Sequence, residues 1–163
     1  MDLAYLKIKI DIIAEYEELK KKYIYKRKES KREEVKKIFE GFKQFFKLDG
    51  HFKFKETDHS ITAEYKEYGI TLDLDIYKNI DNPDFILEGI IKTYDKEIYD
   101  FTAEGIPDKN VFEEPFANEE ERMMNETRHF KEYLSGELVY TYRYSVKGRG
   151  ESYGSMQELM LAL

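Results

Sequence analysis

The chain has 163 residues, 37% of them charged, and a formal net charge of -7. It contains no Cys, which excludes disulfides, thiolate nucleophiles and cysteine-built zinc or iron-sulfur sites. No apolar run nears the roughly 20 residues that span a bilayer, and the N-terminus lacks the basic-then-apolar order of a secretory signal, so a cytoplasmic location without membrane contact is expected.

The length favours a single domain over residues 1–163, with a helical segment over 1–49 and a sheet-rich segment over 50–163. Leu3, Leu6, Ile10, Ile13, Tyr16, Leu19 and Tyr23 recur at spacings of three or four, the pattern of one helix side. Leu6, Ile8, Ile10 and Ile12 also alternate as a strand would, but the good helix formers of AEYEELKKK favour the helix. Ser30 and Glu33 have the form of a capping box ahead of Val35, Ile38, Phe39, Phe42 and Phe46. Either two helices meet near Ser30 or one long helix passes through it, and the capping box favours the division. Gly41 weakens the middle of that stretch, and Asp49-Gly50 ends it.

From Gly50 the apolar period changes to two. Phe52 and Phe54, then Ile61, Ala63 and Tyr65, then Ile70, Leu72, Leu74 and Ile76 alternate with polar residues, predicting three half-buried strands of an antiparallel meander. Asn82-Pro83 has the form of a helix start, carrying Ile86, Ile90, Tyr94 and Ile98 on one side, although the Ile-rich run around Gly89 also suits an extended chain. A strand is expected over 98–103 and a loop over 105–121, where Pro107 and Pro115 fall. Asn118 and Glu121 then cap a helix that stops at Ser135-Gly136. ELVYTYRYSV reads as a strand with Leu138, Tyr140, Tyr142, Tyr144 and Val146 on one face; KGRGESYGS is a connector, and Ser155 with Glu158 caps a last short helix whose apolar end docks. The fold class is therefore α+β: N-terminal helices packed against an antiparallel sheet, with a further C-terminal helix and strand.

Candidate chemistry is sparse. His51 and His59 with Glu56 and Asp58 match no metal-site spacing, and Glu126 with His129 lacks the second such pair that a di-metal bundle needs. Asp73 and Asp75 fall on one strand face and form the one carboxylate pair suited to a small enzyme's site, though alternating acids are also the ordinary wet side of a sheet. Glu113, Glu114 and Glu119–Glu121 read as solvated, the last three favouring a helix start. The glycines of KGRGESYGS make no phosphate-binding motif. No catalytic residue, metal or cofactor is expected. Tyr140, Tyr142 and Tyr144 form a row that either stacks bases or fills the core, and the flanking Leu138 and Val146 favour the core.

Charge is segregated. Residues 1–55 hold 16 Lys/Arg against 10 Asp/Glu, whereas residues 56–163 hold 11 against 24. Lys20, Lys21, Lys22, Lys26, Arg27, Lys28, Lys31 and Arg32 are the candidate binding residues, able to neutralise phosphates if they share one face. Against nucleic acid stand the net acidic chain and the absence of a recognition motif. Charge segregation, many aromatics and no reaction motif point first to a non-catalytic protein-binding or regulatory domain, with a protein partner of open identity. Electrostatic nucleic-acid binding through residues 20–37 is the alternative, and a carboxylate enzyme the third. Homo-oligomerisation through the N-terminal helix is a further form of the binding reading, with Glu17 and Lys20 interrupting the heptad that begins at Leu3 and Leu6.

Overall fold

The computed structural model describes residues 1–111 and 115–163; Glu113 and Glu114 lie outside the described residues. The chain forms two compact units, residues 1–27 with 107–140 and residues 28–106 with 141–163. One helix, α1 (Leu3–Lys47), contributes to both.

The division expected at Ser30 is absent, and the capping box is unused. Buried positions continue through it as Tyr23, Arg27, Lys31, Glu34, Val35, Ile38, Phe42 and Phe46, a helical period in which two links are basic residues. A serine inside a helix costs only a few tenths of a kcal/mol relative to good formers. That is small beside the packing of this stripe.

In the first unit α1 pairs with α3 (Glu119–Ser135). The Asn118 side chain accepts from the Glu121 N–H, as the sequence predicts, and Gly136 caps the other end. The helices run in the same direction, since partners climb together: Tyr5 with Glu120, Tyr16 with Glu126, and Lys26 with Tyr133. Between them Tyr23 stacks on Phe130 at a centroid distance of 4.6 Å and meets Tyr133 edge-on at 5.3 Å. Tyr16 lies 5.8 Å from Phe130 and donates to Glu126 at 2.8 Å. Arg122 joins Glu119 and Glu126, and the carboxylates around it raise its already high pKa.

In the second unit, β1 (Lys53–Glu56), β2 (Ser60–Tyr65), β3 (Tyr68–Asp73), β4 (Ile86–Lys92), β5 (Ile98–Pro107), β6 (Tyr140–Val146) and β7 (Ser152–Tyr153) make a seven-stranded sheet in chain order. The antiparallel registers Ile61↔Leu72, Leu72↔Ile91 and Leu87↔Ala103 place these buried residues on one face. The residues of α1 from Glu34 to Phe46 cover that face. The Tyr144 hydroxyl donates to Glu34, and burial first, then this bond, pushes the phenol pKa well up. The terminal helix α4 (Met156–Ala162), capped by Ser155, buries Met156, Leu159 and Met160 while Leu161 stays exposed. Gly41 is where α4 meets α1: a Cβ there would sit 3.0 Å from that of Met156.

Two local expectations change, and a third, the burial of the tyrosine row, holds. The third strand stops at Asp73 because the Asp75 side chain caps α2 (Ile76–Asp81), accepting from Lys78 N at 3.2 Å. Asp73 and Asp75 therefore do not share a strand face. The helix expected after Pro83 is strand β4, the extended reading, because its β-branched run is paired on both sides. Tyr142 and Tyr144 are buried and Tyr140 half-buried, so the row belongs to the interior and offers no base-stacking surface.

Candidate functional site

The basic stretch does not form one cationic strip. Lys26 turns inward and donates to the carbonyls of Tyr133 (2.6 Å) and Leu134 (3.4 Å), where a cation favours the last turn of α3. Arg27 is 7% exposed, its guanidinium over the Tyr23 ring. Lys28 pairs with Asp81 at 3.6 Å. Lys31 is fully buried and donates to the carbonyls of Asn82 and Asp84, both at 2.8 Å. Lys22 pairs with Glu18, and Arg32 with Glu29. Lys20, Lys21, Lys22 and Arg32 stay exposed. The inward-facing charges are held by carbonyls, a tyrosine ring and an aspartate of their own units.

The histidines have local partners too. His51 is exposed beside Asp49, whereas His59 Nδ1 accepts the N–H of Ile76 at the start of α2. His129 packs against Tyr23 and Phe130 and shares a hydrogen bond with the Tyr140 hydroxyl at 3.2 Å. Burial lowers its pKa below the ordinary 6.5, against the opposing pull of Glu132 and Glu126. The unfolded chain then binds a proton near pH 6.5 that the folded chain refuses, so stability falls as pH drops through that value and levels off below the folded pKa. Urea midpoints measured from about pH 7.5 to 5.5 should decline in the native chain, and His129→Gln should flatten that part of the slope.

Among the described residues, no group of three or more His, Asp or Glu is placed to hold a metal ion. Nor is any helix among them long and apolar enough to cross a membrane. A cleft of about 530 Å³ in the second unit is floored by Val35, Phe39 and Ile61, with Arg32, Lys36 and Glu56 at its rim. Those charges are engaged with Glu29, Glu33 and Lys43 respectively, and Glu56 in turn raises the Lys43 pKa.

Among the described residues, a row of exposed apolar side chains lies at the start of α1. Leu3 is 76% exposed, Ile10 54% and Ile13 38%, with Leu6 half-buried among them. Spacings of three, four and three set these side chains in one seam. The helix is already formed beneath them: the Asp2 side chain accepts from Ala4 N and Tyr5 N, and Lys9, Glu15 and Tyr16 hold α3 on a different side. Burying a Leu or Ile side chain is worth about 1.5–3 kcal/mol. The seam leaves most of that unrealised.

Reading the apolar residues from Leu3 to Tyr23 as one side missed this seam. Ile10, Ile13, Tyr16 and Leu19 follow one another at three successive spacings of three, and each turns the stripe by about 60°, so it ends on the opposite side. The seam itself runs on to Glu17 and Lys20, where it becomes polar. That drift was the available signal.

No protein-family model, curated protein or solved structure matches the chain. Function rests on the surface itself.

Proposed function

We propose that this protein is a non-catalytic protein-binding module whose contact surface is the Leu3, Leu6, Ile10 and Ile13 seam of α1. The observation carrying this reading is the exposure of Leu3, Ile10 and Ile13, with Leu6 half-buried among them, on a helix already ordered by its cap and by α3. An amphipathic helix laid along the seam would bury them, and a pre-formed partner surface spares most of the ordering cost of association. The flanking Asp2, Lys7 and Lys9 supply the polar rim that orients such a contact.

The test is native purification with and without nuclease, followed by size exclusion, on the native chain and on Ile10→Glu. Stoichiometric protein complexes that survive nuclease and weaken at least tenfold in Ile10→Glu are expected, with an unchanged unfolding midpoint because position 10 is exposed. Binding only to DNA or RNA, lost when Lys20, Lys21 and Lys22 are reversed in charge, would overturn the reading in favour of electrostatic nucleic-acid binding.

A further inference from the structure

We infer that the occupant of the seam is a second copy of this chain, its α1 parallel and in register over residues 3–13. This rests on the reading of the seam as a protein-binding surface and adds the partner and its orientation. In heptad terms Leu3 and Ile10 take the a positions and Leu6 and Ile13 the d positions, so that Asp2 and Lys9 fall at g and Lys7 at e. Parallel pairing stacks Leu3, Leu6, Ile10 and Ile13 each against its own counterpart. It also brings Asp2, the residue just before α1 whose Oδ1 accepts from Ala4 N and Tyr5 N, near Lys7 of the other copy, so that the g-to-e contact that selects partners in two-stranded coiled coils falls to Oδ2.

The antiparallel alternative buries the same side chains, with Leu3 against Ile13 and Leu6 against Ile10, but its flanking contacts join e to e and g to g. Lys7 then faces Lys7, with no acid set against either. Like charges beside a short seam disfavour it, whereas the parallel arrangement gains an opposite-charge pair. Two strands rather than three follow from the g flank, where Lys9 and Tyr16 are engaged by Glu120 and Glu126 of α3. Beyond Ile13 the seam meets Glu17 and Lys20, which in a parallel pair face their own kind, so the contact ends there. With only four apolar layers the association is weak and depends on concentration.

Sedimentation equilibrium of the full chain should show 19.6 kDa at low concentration, rising towards twice that mass as concentration increases. Ile10→Glu should weaken the association at least tenfold, and Lys7→Glu should weaken it several-fold by setting two acids together. Because the chain has no Cys, single substitutions report orientation cleanly. Leu3→Cys and Ile13→Cys should each form interchain disulfides under mild oxidation, since parallel register brings each position to its own counterpart. In the antiparallel pair these positions lie about 15 Å from their own counterparts, too far to bridge. A dimer in which neither variant cross-links overturns the orientation, and a third copy overturns the two-stranded assembly. A chain that stays monomeric overturns the proposal altogether. If that monomer still captures other proteins through the seam, the protein-binding reading stands without it; if it captures none, both fall.

Discussion

Gly89→Ala is expected to lower the unfolding free energy by about 3 kcal/mol, the upper end for an overpacked core. A Cβ at position 89 would lie 2.6 Å from the carbonyl oxygen of Asp73 and 2.6 Å from Cζ of Phe101. Neither neighbour yields cheaply. Asp73 is a backbone position in the β3–β4 pairing, and Phe101 is 1% exposed and directly opposite Gly89 in the β4–β5 pairing. To admit a methyl group the ring must leave its pocket or the two strands must part. Gly150→Ala is the control: nothing lies within 4 Å of its added Cβ, and its midpoint should shift by no more than about 0.5 kcal/mol. Urea unfolding followed by circular dichroism reads both. Equal midpoints for the two variants would show that β4 does not pass beneath Phe101 as described.

Lys31→Ala is expected to cost about 3–4 kcal/mol, and Lys31→Met about 2 kcal/mol. The alanine leaves a cavity where a fully buried lysine stem lies, and it removes the ammonium that bonds the carbonyls of Asn82 and Asp84. Methionine fills much of the volume and isolates the polar part. Two opposing effects set its size: each charge-assisted hydrogen bond is worth about 1.5–3 kcal/mol, while removing a buried ammonium relieves its desolvation penalty. The bonds dominate because the turn after α2 sets both the Asn82 and the Asp84 carbonyl to accept from the one ammonium. Partner or nucleic-acid affinity, normalised to folded protein, should stay unchanged in Lys31→Met. A variant of native stability that loses affinity would place Lys31 in a binding surface instead of the interior.

These outcomes bear on how far charge in a sequence can be read as function. KRKESKR looks like a phosphate-binding patch because Lys and Arg are ordinarily found in water. Here Lys31 is buried and Arg27 nearly so, while Lys26 spends its charge on carbonyls at the end of α3. A long aliphatic stem lets each cross apolar surface before its head finds oxygen. Only where the helix already lies against carbonyls does that route exist, so composition could not reveal it.

Much of the architecture was legible because it depends on local rules. The change of period at Gly50, the hairpin strands, the Asn118 and Ser155 caps and the stop at Gly136 are set by side-chain alternation and by hydrogen bonds within a few residues. The burial of Tyr142 and Tyr144 followed from their parity with Leu138 and Val146. What the sequence by itself determined about this protein is therefore its α+β class, the order of most elements and the absence of cysteine chemistry. Tertiary structure decided the rest. It carried one helix through Ser30, since packing outweighs a weak cap; it made β4 a strand, since its β-branched run is paired on both sides; and it turned Asp75 into the cap of α2. It also separated two apolar stripes on the first turns of α1 that spacing had merged, giving one to α3 and leaving the other in water. Periodicity measures which residues share a side, but only the position of a neighbouring element determines which side is covered.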